Sequence, residues 1–89
     1  MNADLLRSEF EKLARRLDIE IRYTDSGPSG LCTIRGRRVL FIDRGLDTEA
    51  KLVVFAREFR ALDLEGIYVV PAIRRLLGME GDNDTWLDD

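Results

Sequence analysis

The residue whose type and setting come nearest to a general base is Glu58, in the run Arg57-Glu58-Phe59-Arg60-Ala61. A helical glutamate activates a metal-bound water when two imidazoles four residues apart hold the ion on the same face. The chain contains no histidine. Position 57 carries a guanidinium, which cannot coordinate a cation, and position 61 carries a methyl group with nothing to donate. Two readings of Glu58 are left. In one, Glu58 and nearby arginines act on an anionic substrate. In the other, Arg57 and Glu58 belong to a solvated helix face with local ion pairing.

The same absence weighs on the nucleophiles. A thiolate needs some means of lowering its pKa, and no imidazole is at hand for Cys32. Cys32 shares a strand face with Ile34 and Phe41, so a buried packing role is expected of it. Ser8, Ser26 and Ser29 lack a histidine base. The "GPSG" around Ser29 is neither a Walker loop nor a dinucleotide fingerprint. A single cysteine permits no intrachain disulfide and cannot build a zinc site. The expectation is a non-enzymatic chain with no catalytic residue, cofactor or metal.

Two features could serve binding. Arg35, Arg37 and Arg38 cluster at the tip of an expected hairpin, where they would meet phosphates or an acidic partner, or simply remain solvated. Three charges confer little affinity at cellular salt, and no stacking aromatics accompany them, so nucleic acid is not the favoured partner. Trp86 and Leu87 lie in an acidic segment. They could anchor in a partner's groove, fold back over the sheet or the arginine tip, or form a frayed end.

The elements that must position these residues are legible from their periods. "ADLLRSEFEKLARRLD" spaces Leu6, Phe10, Leu13 and Leu17 as one helical face near 4–17, with Glu11 and Arg15 free to pair outside. "IEIRYT" alternates, which marks a half-buried strand. "DSGPSG" is a loop, and "LCTIRGRRVLFID" is a hairpin. A two-residue turn at Gly36-Arg37 would face Ile34 with Val39 and Cys32 with Phe41. Both faces of that hairpin are partly apolar, so a sheet with helices on one side needs further cover from a second copy or the chain's C-terminal segment. A second helix near 48–63 starts at Asp47 or Thr48, buries Leu52, Phe55, Ala56, Phe59 and Leu62, and ends at Gly66. "IYVV" is extended before Pro71, which opens a short helix near 72–77 closed by Gly78.

With 89 residues the chain is sized for one domain, read as 1–78, with 79–89 an acidic, flexible tail. Residues 1–44 carry a net +2 and residues 45–89 a net −5, so the body is nearly neutral and the charge sits in the tail. No apolar run is long enough to span a membrane, and "MNADLLRSEF" lacks the basic start and apolar middle of a secretion signal. A cytoplasmic protein is expected.

The order of elements, with the glycine loop, hairpin and capped helix between Leu17 and Leu62, resembles the N-terminal part of zinc metallopeptidase domains of the ImmA/IrrE type. In that family an apolar hairpin strand leads into a helix bearing HExxH. Val39 to Asp43 would match the strand, Leu46 to Glu49 the helix entry and Arg57 to Ala61 the motif. The resemblance covers about half of the chain, and both histidine positions depart from it, so it implies a metal-free scaffold without the peptidase reaction. The expected fold is α+β, a small antiparallel sheet of three strands packed by two main helices. The expected role is a protein-interaction or regulatory module, with a homodimer as one form and no membrane partner. Its alternatives are a small enzyme or enzyme subunit using Glu58 with arginines and a nucleic-acid contact through Arg35, Arg37 and Arg38.

Overall fold

Short caps and alternating apolar residues set out six elements in the computed structural model, which describes residues 2–79. They are helix α1 (Ala3–Arg16), strands β1 (Ile19–Thr24), β2 (Gly30–Ile34) and β3 (Arg37–Asp43), helix α2 (Thr48–Arg60) and the short helix α3 (Pro71–Leu76). Trp86, Leu87 and nearly all of the acidic tail lie outside the described residues. The α+β class, the three strands and the three helices agree with the expectation from sequence.

Helices α1 and α2 begin where a side chain accepts from their unpaired first-turn amides. The Leu5 amide donates to Asn2 Oδ1 at 2.9 Å, and the Ala50 amide donates to Asp47 Oδ1 at 2.8 Å. Pro71 occupies the first turn of α3, where its missing N–H is not needed. Helix α2 stops at Arg60 and does not run to 63. Gly66, expected as its cap, instead adopts φ +80° in the turn that the Ile67 amide closes onto the Leu64 carbonyl at 3.0 Å. Gly78, at φ +78°, does follow the end of α3 as expected.

The sheet is mixed, not antiparallel. Its strand order is β1-β3-β2, with β3 parallel to β1 and antiparallel to β2. The loop between β1 and β2 carries the chain past the width of one strand, and β3 fills the gap. The centre goes to the most apolar strand: Val39 is 2% exposed, Leu40 and Ile42 are fully buried. Burying a strand on both faces is what a near-continuous apolar run such as "VLFI" satisfies.

The hairpin turn is also one residue earlier than expected. Arg35 and Gly36 are its central residues, both with positive φ (52° and 80°), as a type I′ turn requires. Cys32 therefore faces Val39, Ile34 faces Arg37, and Gly30 faces Phe41. Because β2 is an edge strand and no helix among the described residues lies over this side of the sheet, Cys32 is exposed and is not the buried packing residue expected.

The helices pack against the inner face, which carries Ile19, Ile21, Tyr23, Leu31, Leu40 and Ile42. At its centre Phe10 of α1 stacks on Phe55 of α2, with centroids 5.1 Å apart, and Phe59 meets both rings edge-on. Each of these rings, fully buried, contributes roughly 2 kcal/mol or more by leaving water. The α2 core face is turned toward Val54, with Leu52, Ala56 and Leu62 only half-buried. Glu11 pairs with Arg7 at 3.2 Å and accepts from the Tyr23 hydroxyl, so the expected Glu11–Arg15 pair is not the one formed.

Candidate functional site

Glu58 and Arg57 lie where α2 passes the outer edge of β2. In an antiparallel strand alternate residues turn their backbone groups away from the partner strand. Leu31 is one of these, and its amide donates to Glu58 Oε1 at 3.0 Å. Arg57 Nη2 donates to the neighbouring Ser29 carbonyl at 3.2 Å, while its Nε donates to Glu58 Oε2 at 2.8 Å. The two side chains thus stand in for part of a fourth strand. Arg57, and secondly the Leu31 amide, hold the Glu58 carboxyl below its usual range. A carboxylate held ionised, with each oxygen already accepting a hydrogen bond, is suited to clamping an edge and poorly suited to taking a proton.

The other sequence candidates are distributed rather than gathered. Ser29 Oγ accepts from the Asp43 amide at 3.0 Å and so ties the glycine loop to the end of β3. Arg38 turns away from the hairpin tip, and its Nη2 donates to the Leu17 carbonyl at 2.6 Å, which satisfies the end of α1. Only Arg35 and Arg37 of the expected basic triplet stay exposed at the tip. Trp86 and Leu87 fall outside the described residues. Among the described residues, no group of three or more cysteine or acidic side chains is assembled to hold a metal ion. No helix among them is long and apolar enough to cross a membrane.

What the sequence did not single out is the opposite edge. Among the described residues, strand β1 has β3 on one side and no strand on the other. The Arg44 amide donates to the Thr24 carbonyl at 2.8 Å, which extends the β1–β3 ladder and settles its phase. Thr24, Arg22 and Glu20 direct their backbone groups toward β3, while Ile19, Ile21 and Tyr23 direct theirs toward the open edge. Consistent with that phase, the outward Tyr23 carbonyl accepts from Arg44 Nη2 at 2.9 Å. A groove of about 350 Å³ runs along this edge between β1 and α1, lined by Glu11, Arg15, Ile19, Glu20, Ile21 and Tyr23. On the outer face Arg22 Nε donates to Glu20 Oε2 at 2.6 Å, and that bond holds the Glu20 carboxyl below its usual range. The alternation of "IEIRYT" was the available signal, but nothing in it says whether the strand is central or an edge.

The outer face of the sheet is likewise open among the described residues. Ile34 is 41% exposed and Cys32 is exposed, and an apolar hollow of about 470 Å³ lies beside Pro28, Cys32 and Phe41. Val39 is buried here without belonging to the helical core.

No family model, curated protein or solved structure matches the chain. The resemblance to the zinc-peptidase scaffold gains no support from them. Position 61, where its second histidine would fall, is the residue capping the end of α2.

Proposed function

We propose that this chain is a non-catalytic interaction module that associates with protein, in the first instance with a second copy of itself. The observation that carries the reading is the uneven finish of the sheet. Helices cover one face and side chains clamp one edge, whereas among the described residues the second face keeps Cys32 and Ile34 exposed and the second edge keeps the Ile19 and Ile21 backbone directed outward. Free edges and apolar faces of this kind are surfaces that association covers. The use of Glu58 as a clamp supports a non-catalytic role, since its only strong claim to chemistry was a carboxylate free to accept a proton. A lone exposed thiol at Cys32 suits a reducing compartment, and the cytoplasm is the location proposed.

Light scattering of the full chain from about micromolar to millimolar concentration tests the reading. A mass rising from one chain to two supports it, and a single-chain mass throughout the range overturns self-association. Repeating the series without residues 79–89 asks whether the acidic segment takes part; the expected result is an unchanged dimer.

A further inference from the structure

We infer that β1 pairs antiparallel with β1 of a second copy, about a two-fold axis passing beside Ile21, so that two three-stranded sheets become one continuous sheet. The inference rests on the self-association reading and specifies its surface and register. Backbone phase favours this pairing. Ile19, Ile21 and Tyr23 all turn their amide and carbonyl groups to the open edge, and the Tyr23 carbonyl, which Arg44 Nη2 holds in the single chain, shares or exchanges that bond on pairing. With Ile21 opposite its own copy, Ile19 faces Tyr23 of the second chain, and every outward residue meets another outward residue. The hydrogen-bonded pairs of an antiparallel ladder need that arrangement.

Charge favours it as well. In the same register Glu20 of one chain lies opposite Arg22 of the other on the outer face, and by symmetry the pair occurs twice. These are non-hydrogen-bonded positions, where opposing side chains come closest. The Glu20–Arg22 bridge already formed within one strand would become a four-charge cluster across two. Moving the register by two residues places Glu20 against Glu20 or Arg22 against Arg22, which like-charge repulsion disfavours. On the groove wall, Glu11 and Arg15 are one helical turn apart and present the same opposite-sign order, reversed in the second copy. The inner face contributes Ile21 against Ile21 and Ile19 against Tyr23, all partly or fully buried already.

The other edge points the same way. At β2 the clamp of Arg57 and Glu58 occupies the edge, so a second copy is directed to β1.

The test uses charge exchange in the full chain. Glu20→Arg or Arg22→Glu alone turns both cross-strand pairs into like-charge pairs and is expected to raise the dimer dissociation constant roughly ten- to hundredfold. Mixing the two variants restores opposite charges at both contacts, and a heterodimer of near wild-type affinity is expected by sedimentation. Amide exchange on the unmodified chain supplies a readout that depends on no variant: protection at Ile21 and Tyr23 should rise with concentration, while Glu20 and Arg22 are protected throughout. A dimer indifferent to both single changes, a mixture no tighter than either variant alone, or Ile21 exchange independent of concentration overturns the edge pairing while self-association stands. A chain that stays monomeric overturns both.

Discussion

The two edges of the sheet have opposite treatments. At β2, an amide and a carbonyl that would otherwise face solvent are taken by Glu58 and Arg57 from α2. At β1, Arg44 holds the Tyr23 carbonyl, but the outward groups of Ile19 and Ile21 border an open groove, and Glu20 and Arg22 bond to each other across the outer face. Exposed edges invite unwanted pairing, and natural sheets commonly blunt them with charges or cover. Here β2 has both an outward amide and an outward carbonyl covered, whereas the outward groups of Ile19 and Ile21 on β1 are left open. The difference teaches where association can occur without disturbing the fold: at the edge whose closure the chain leaves to something else.

Both edges depend on the same aromatic centre, so its loss should break the comparison altogether. Phe55→Ala removes a fully buried ring stacked on Phe10 and is expected to cost about 3–5 kcal/mol, enough to unfold much of a domain this small. Denaturant unfolding followed by circular dichroism would show it, and a loss under about 1 kcal/mol would mean that the ring is not buried as described.

Opening the closed edge is the next largest effect. Glu58→Ala leaves the Leu31 amide without its acceptor and is expected to cost roughly 1 kcal/mol, a figure reduced for the partial exposure of the carboxylate. Because a second edge becomes available, concentration-dependent association beyond the dimer should also appear in light scattering. Glu58→Gln keeps a carbonyl acceptor and should lose less. Equal behaviour of the two variants would argue against the clamp.

Acid sharpens the same point. The Glu58 carboxyl is held below its ordinary value of 4.5, first by Arg57 and then by the Leu31 amide. A group whose pKa is lower in the folded chain stabilises fully above the unfolded value and loses that contribution as pH falls through the folded one. The wild-type advantage over Glu58→Gln should therefore be constant near neutrality, begin to fall below the ordinary value of 4.5 and be lost as pH drops through the lowered folded value. An advantage that persists at lower pH would assign it to something other than ionisation.

The smallest effect is expected at the hairpin tip. Replacing Arg35 and Arg37 by lysine should change stability by no more than about 0.5 kcal/mol and leave the dimer unaffected, since both are exposed. The contrast with Arg38 is informative. Arg38→Ala frees the Leu17 carbonyl at the end of α1 and should cost more than either tip change, by thermal unfolding.

Much of this was legible in the sequence because it is local. The spacing of Phe10 and Leu13 predicted α1, the Asp47-Thr48 pair marked the start of α2, and Pro71 and Gly78 bracketed α3. The absence of histidine bounded the chemistry before any fold was known. Alternation located β1 and the hairpin pattern located β2 and β3, but neither gave their order, and the hairpin turn was placed one residue late. Gly36 satisfies either turn, and only the pairing of Ile34 with Arg37 distinguishes them. Arg38 and Glu58 both read as solvated charge, yet each bonds to backbone about twenty or more residues away.

The sequence by itself determined the helices, the start of α2 and the end of α3, the strands and the lack of an imidazole, because each depends on side chains within a few residues of one another. Tertiary structure alone decided that β3 is central, that β1 runs parallel to it, that Cys32 is exposed, and that one sheet edge is clamped while the other is open. These outcomes depend on which apolar strand gains most from burial on both faces and on where a distant helix happens to pass. Neither quantity exists until the chain is packed.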